Sequence, residues 1–306
     1  MLRYILHRVF MLAPVLFGVT LVAFFLLHLV PGDPAEILAG QEATKEDVDR
    51  IRVEYGLDKP LAVQYVRFVV SAAQGDLGIS IQSRHPVREL LFQRLTFTLQ
   101  LSLASILVAS AIGLLAGIVS STRQYSIFDT ASMLGALFGI SMPIFWLGLL
   151  LILVFAVKLH WLPSGGTGGL RYLILPAIAL GSASAAVIAR MTRASMLEVT
   201  RQDYIRTARA TGYRESVVIF RHGLKNAMIP VLTVFGLEFG TMLGGAVLTE
   251  TVFALSGIGR LLVEGIFARD YPVVQGAMVA VATTFVLVNL LTDVAYAFFD
   301  PRIRYE

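Results

Sequence analysis

The residue types that carry chemistry are sparse in this sequence and badly spaced for it. Only four lysines occur, Lys45, Lys59, Lys158 and Lys225, and none follows a glycine. A phosphate-cradling P-loop needs that Gly-Lys step, so that the ammonium reaches phosphates held by backbone N–H groups; the chain cannot bind ATP through that motif. His7, His28, His85, His160 and His222 are scattered, with no HExxH and no ligand pair at helical spacing. No metal site is expected. Cysteine is absent, which removes disulfides, thiolate chemistry and Cys-based metal sites. An intramembrane protease needs a Ser or Asp with a partner at matching depth. Gly139-Ile-Ser141 is not followed by Gly and has no His at a compatible level. The chain is not expected to be an enzyme.

The ionisable residues inside apolar runs are His28, Glu238, Glu250 and Asp293. Glu250 and His28 lie near outer helix ends, where side chains are expected to reach water, and Asp293 lies toward the inner end. Glu238 is the deepest, and a charge at the bilayer centre costs at least about 2.5 kcal/mol. Two readings stand. Glu238 lines a pathway, with Thr241 and Pro143 as further lining candidates, or it is a carboxyl hydrogen-bonded at a helix contact.

The most informative segment is polar: Asp203-Tyr-Ile-Arg-Thr-Ala-Arg-Ala-Thr-Gly-Tyr-Arg-Glu-Ser216, continuing to Phe220-Arg-His-Gly-Leu-Lys-Asn-Ala-Met-Ile-Pro230. Asp203 is a good N-cap, residues 204–211 are helix-competent, and Gly212 suits the left-handed residue that ends a helix. A second helix can begin near Glu215. The result is a short helix, a tight turn and a second helix held outside the bilayer. Such a knob can fit a groove on a partner; alternatively it is a basic linker that only sets topology.

The elements that position these residues are membrane helices. The 306 residues are 56% hydrophobic and only 15% charged, against about 25% charged in an ordinary soluble domain. Six runs approach the roughly 20 apolar residues that a crossing requires: 9–30, 97–121, 131–157, 173–192, 228–249 and 275–298. The run 9–30 is longer than the roughly 7–15 residues of a signal-peptide core and lacks a cleavage site, so it is expected to be retained. Lys and Arg collect at the N-terminus (Arg3, Arg8), at Arg123, through 190–225 and at Arg302 and Arg304. With six spans these fall on one side, and the positive-inside rule makes that side, with both termini, cytoplasmic. The net charge of +4 sits in loops between apolar runs, so it does not suggest nucleic acid.

The chain therefore divides into 1–30 (N-terminus and first span), 31–95 (an outer cap) and 96–306 (a five-helix core with a cytoplasmic loop at 194–227). In the cap, Thr44 with Asp47 resembles a capping box, Gly56 and Pro60 stop that helix, and Pro60 opens another reaching about Ala73. Gly75-Asp-Leu-Gly-Ile-Ser80 reads as turn and extended chain. The cap is either an ordered element or a passive connector. In lipid, small residues mark close helix contacts. Gly113/Gly117, Gly135/Gly139 and Gly236/Gly240/Gly244 have that spacing, and Pro143 is expected to kink the third span.

The segment 203–230 resembles the EAA loop of ABC importer permeases, roughly EAA-x3-G followed by I-x-L-P. Ala208, Gly212 and Leu224 match. Arg206 and Thr207 stand where Glu and the first Ala are usual, and His222 and Lys225 replace the Ile and Pro. Tyr-Ile-Arg-Thr-Ala-Arg-Ala-x-Gly followed by Arg-His-x-Leu-x-Asn-Ala is similar to the dipeptide/oligopeptide/nickel branch. So are Pro31-Gly-Asp-Pro34, Gly75–Ser80, Ser141-Met-Pro-Ile-Phe-Trp146, Arg190-Met-Thr-Arg-Ala-Ser195, Leu248-Thr-Glu-Thr251 and Arg269-Asp-Tyr-Pro-Val273. Within that branch the likeness is strongest to dipeptide permeases, with glutathione permeases close behind. Leu255-Ser-Gly-Ile-Gly259 superficially resembles the signature loop of ABC ATPases, but it lies in a short outer loop and reads as a re-entrant turn.

The resemblance implies an all-α polytopic membrane protein with the type I ABC importer permease architecture, in the bacterial inner membrane. It implies a second homologous permease, two ATP-binding subunits that bind the ATP and Mg, and a periplasmic or lipid-anchored peptide-binding protein; no cofactor belongs to this chain. By the same resemblance Asp203, Tyr204, Arg206, Thr207, Ala208, Arg209, Ala210 and Gly212 form the element that couples to the ATPase, with Arg206 and Arg209 available to acidic residues there. A self-contained secondary transporter would need an internal repeat or more intramembrane charge. Nickel is disfavoured as cargo by the lack of a ligand cluster in the helices.

Overall fold

The computed structural model describes residues 2–29, 33–39, 43–54 and 56–299, with side chains described from Phe10 to Phe25 in the first helix and up to Thr292 in the last. Expectations for Arg3, Arg8, His28, Pro31, Gly32, Asp293, Arg302 and Arg304 fall outside these. In chain order the α-helices are α1 (Leu2–Leu29), α2 (Pro34–Ala39), α3 (Lys45–Glu54), α4 (Leu61–Ala73), α5 (Val87–Thr122), α6 (Ile127–Ser141), α7 (Ile144–Leu151), α8 (Leu170–Thr200), α9 (Asp203–Ala210), α10 (Glu215–Val217), α11 (Lys225–Val252), α12 (Ile258–Phe267) and α13 (Tyr271–Phe299). Two π-helical stretches, Ile152–Lys158 and Val218–Leu224, extend α7 and join α10 to α11. Among the described residues, extended pairing is limited to one bridge, Ile79 with Pro86.

The fold class is all-α and polytopic. Helices α5, α8, the run Glu215–Val252 and α13 are each long and apolar enough to cross a bilayer. A fifth passage is broken: α6 and Ile144–Lys158 qualify only as a pair, bent by 105°. The break is at Met142-Pro143, where Pro143 (φ −60°, ψ 131°) starts α7, because proline has no N–H to continue the α6 ladder. The bent pair still traverses the molecule. Asp129 at its start pairs with Arg193 late in α8, whereas Gly166, just beyond it, donates to the Phe253 carbonyl at the far end of α11 (2.9 Å). The remaining expected span, 9–30, lies in α1, whose described stretch Phe10–Phe25 is apolar.

Helix α8 is the centre. Its Leu175, Ala179, Leu180, Ala185 and Ile188 join Leu101 and Ala109 of α5 and Val231, Met242 and Ala246 of α11 in the main core. Two backbones approach closely at Gly113 and Gly117 of α5. A Cβ at Gly113 would lie 2.8 Å from the Ala185 carbonyl oxygen, and one at Gly117 2.7 Å from that of Ala189. This is the close contact small residues permit in lipid. The other two glycine series hold only in part. Gly139 abuts Ser182 and Gly236 and Gly240 abut α13, but Gly135 and Gly244 meet nothing within 4 Å.

The helices leave two ends, named here the loop end (residues 201–214) and the cap end (residues 33–86). In the cap, the Thr44 N–H and hydroxyl both donate to the Asp47 carboxyl (3.2 and 2.7 Å), and the Asp47 N–H donates to Thr44 Oγ1 (3.3 Å). That is the reciprocal capping box at the start of α3. Gly56 (φ +67°) and Pro60 follow as breakers.

Candidate coupling site and transmembrane polar groups

The loop end is built around α9. Its C-terminus closes with two backbone bonds, Gly212 N–H to the Arg209 carbonyl (3.0 Å) and Tyr213 N–H to the Ala208 carbonyl (3.4 Å). This is the Schellman arrangement, in which the first of the two donor residues is left-handed. Gly212 supplies it at φ +83°, with open space around its Cα. The N-cap is Gln202, not Asp203 as expected; Asp203 is the first helical residue, and its carboxyl lies 3.7 Å from Arg206.

One face of α9 is anchored. Ile205 (fully buried) and Ala208 pack on Val199 of α8 and Val218 of the π-helical turn. Asn226 donates to the Tyr204 hydroxyl (2.9 Å), and Tyr213 sits against His222 with ring centroids 5.5 Å apart. Arg209 grips Glu215 through Nε (3.2 Å) and Nη2 (2.7 Å). Arg209 is therefore engaged inside the loop, bracing the turn, with its side chain still 44% exposed. The opposite face, with Asp203, Arg206, Thr207 and Ala210, is exposed. The eight candidate residues thus form one rigid projection, tied to the ends of α8 and α11.

Glu238 and Thr241 lie one turn apart on α11. Ser184 of α8 donates to Glu238 Oε2 (2.5 Å), and Thr241 Oγ1 donates to the Glu238 carbonyl (2.8 Å). Glu238 is half-buried and Thr241 exposed, on a face that continues through Gly244 and Leu248. Glu238 is thus hydrogen-bonded at a helix contact, beside an exposed helix face. Pro143 belongs to the break between α6 and α7.

Three buried polar clusters went unread in the sequence. Glu250 was expected to reach water, yet it is 0% exposed. Thr98 Oγ1 donates to Glu250 Oε1 (2.6 Å) and accepts the Ile258 N–H (2.9 Å), while the Arg260 N–H donates to Glu250 Oε2 (3.1 Å). The chain 255–260 folds back over the carboxyl, and its donors are the orphan N–H groups of the first turn of α12. A Cβ on Gly257 would collide with that carboxyl. Residues 255–259 therefore cover Glu250 and start α12.

Asp270, 2% exposed, accepts from Ser80 Oγ (2.5 Å) and from the N–H groups of Ile81 and Gln82 (3.2 Å each). It joins the 75–80 motif to the 269–273 motif in one corner. At the loop end, Arg193 makes a bidentate pair with Asp129 (2.8 and 2.9 Å). Ser120 Oγ and the Tyr125 N–H also donate to that carboxyl, so α5, α6 and α8 meet at one group. Among the described residues no three His, Asp or Glu side chains converge as a metal site would require.

Comparison with known proteins agrees with this architecture. Residues 109–305 match the family described as binding-protein-dependent transport system inner membrane component, and residues 1–103 match its N-terminal family. The dipeptide transport system permease protein DppB of Alkalihalophilus pseudofirmus is 46% identical over 333 residues, covering all of both chains. The glutathione transport system permease protein GsiC of Escherichia coli O6:H1 is 46% identical over 306 residues, again covering all of both. Among solved structures, the membrane-spanning fold is similar to a chain of the inward-facing MetNI methionine ABC transporter (TM-score 0.59, 20% identity, covering 69% of this chain and 96% of that one). The chain belongs to the family of inner membrane components of binding-protein-dependent ABC transport systems.

Proposed function

We propose that this chain is a permease subunit of an ATP-driven importer for dipeptides or other short peptides, and that α9 with the Gly212 turn is where a separate ATPase subunit docks. The observation that carries the coupling assignment is the rigidity of that projection. It has a buried anchor at Ile205 and Ala208, a Schellman turn and the Arg209–Glu215 brace. Its exposed face carries Asp203, Arg206, Thr207 and Ala210. ATP-driven closure of partner subunits moves a stiff element efficiently, and this one passes displacement directly into α8 and α11. On this reading the loop end is cytoplasmic, both termini lie there, and the cap faces a periplasmic or lipid-anchored binding protein. A second homologous permease completes the pore, and ATP and Mg belong to the ATPase subunits.

The peptide cargo rests on the full-length likeness to dipeptide permeases. Glutathione is the second reading. The alignment with its permease runs over 306 positions, the length of this chain, whereas those with the dipeptide permeases run over 333 and 335. The test is uptake of labelled dipeptide, glutathione and nickel by cells with and without this chain, with ATP present or depleted. ATP-dependent loss of dipeptide or glutathione uptake on deletion fits the proposal and picks the cargo. Unchanged uptake of all three removes the peptide assignment.

A further inference from the structure

Between the loop-end projection and α11 the chain stays helical but changes its winding. Val218–Leu224 is π-helical, with backbone bonds that span five residues where an α-helix spans four. It lies inside one helical run, Glu215–Val252. The reason for the change is on its buried side. Val218 is 1% exposed and belongs to the cluster that anchors α9, with Ile205, Ala208 and Val199 of α8. Gly223 is buried against Met196, one turn earlier on α8. A Cβ there would lie 3.5 Å from Met196 Cε and 3.4 Å from the Val218 carbonyl oxygen. Ala227 and Val231 follow, both fully buried.

The steps along this buried side are five, four and four residues. At the α-helical advance of about 100° per residue, a five-residue step would turn Val218 about 140° away from Gly223. The anchor of α9 and the contact of Gly223 with α8 could not then both be made. The π winding absorbs the extra residue and keeps both on one side. The other π-helical stretch, Ile152–Lys158, buries none of its residues, so no such register depends on it.

The contacts that tie the projection to α11 lie in or beside Val218–Leu224. His222 faces Tyr213, and Asn226 donates both to the Tyr204 hydroxyl (2.9 Å) and to the His222 carbonyl (3.1 Å). A force on α9 therefore enters α11 through the π-helical turn. We propose that Val218–Leu224 is a two-register joint, which passes between π and α winding during transport and so turns α9 relative to α11. One residue of register corresponds to about 100° of rotation. π-Helical turns are rare and concentrate at functional sites. The joint rests on the reading that α9 docks an ATPase subunit. The projection itself stays rigid, and the change of winding is what converts its displacement into rotation of a span.

Phe220 is 57% exposed, so deleting it removes the extra residue from the outward side. Val218 and Gly223 are then four residues apart, and an α-helix satisfies both contacts. Phe220→Ala keeps the length and controls for loss of the ring. Both variants are reconstituted in the complete transporter in liposomes, with Arg206→Cys cross-linked to the ATPase subunit as the report of docking; the chain has no cysteine of its own. The expected result is a deletion variant that cross-links and hydrolyses ATP but has lost import of labelled dipeptide, while Phe220→Ala imports normally. Import per ATP unchanged by the deletion overturns the joint. Absence of the cross-link without the deletion is a separate failure, that of the docking reading, and the joint falls with it. Hydrogen exchange across 218–225 in the unaltered transporter, nucleotide-free and trapped with ATP and vanadate, supplies a second test. Protection there is expected to differ between the two states while that of 227–231 does not. Equal protection overturns the joint, whether or not the deletion variant assembles.

Discussion

Replacing Asp129 with alanine removes the group on which α5, α6 and α8 converge. The carboxyl receives two guanidinium bonds from Arg193 at 2.8 and 2.9 Å, and its side chain is 7% exposed against 26% for Arg193. Charge-assisted bonds contribute about 1.5–3 kcal/mol each, and stranding one partner of a buried pair costs about 3–5 kcal/mol. Arg193 keeps a quarter of its side chain in solvent and the Ser120 hydroxyl as an acceptor, so the loss belongs at the low end, about 3 kcal/mol. Arg193→Ala strands Asp129, which keeps the Tyr125 N–H and Ser120 as donors, and costs a similar amount. The double variant leaves neither charge unpaired, so it falls short of the sum by about 2 kcal/mol. Reversible denaturation of the purified protein in mixed micelles measures the cycle. A double variant within about 0.5 kcal/mol of additivity would refute the bidentate lock.

Glu238→Gln keeps an acceptor for Ser184 but removes the charge; uptake in vesicles falls if the carboxylate lines the pathway, and full uptake ends that role. Asp270→Ala deletes the acceptor of the Ile81 and Gln82 N–H groups. Hydrogen exchange at those two amides rises at least tenfold while exchange in α8 stays as before. In α3, hydrogen bonds from the Thr44 side chain and backbone hold the Asp47 carboxyl below its ordinary value of 3.8. A depressed folded-state pKa makes the capping contribution complete above the unfolded value and lost as pH falls through the folded one. The protection factor at the first turn of α3, exchange corrected for its intrinsic pH dependence, is therefore flat near neutrality and falls below about pH 4; Thr44→Ala removes that dependence, and an unchanged profile contradicts the capping box.

The spans were legible because lipid imposes one simple demand, an uninterrupted apolar run in a helix. Pro143 and Gly212 were legible for an equally local reason, since one cannot donate a backbone bond and the other adopts φ +83° without strain. What the sequence concealed were the partners of buried polar groups. Thr98 and Glu250 are separated by 152 positions and Ser80 and Asp270 by 190, and no local pattern announces such pairs. Glu250 read as a water-facing helix end because nothing near it says that 255–260 folds back; Gly257 and Gly259, both pressed against its carboxyl, are the one trace. Arg193 read as a topological charge because Asp129 lies just ahead of its apolar run. The amphipathic pattern of α4 was visible, but its seat against α1, where Tyr65 meets Phe17 and Phe24 edge-on, depends on packing between distant segments.

The coupling role of α9 is tested most directly by Gly212→Asp in the complete transporter reconstituted in liposomes, measuring peptide imported per ATP hydrolysed. Aspartate adds a charge and a Cβ at a left-handed position, while the spans and the buried contacts of Ile205 and Ala208 are left alone. The account predicts an assembled membrane component whose import is lost or uncoupled from hydrolysis. Import and ATP turnover both at the unsubstituted level would contradict it.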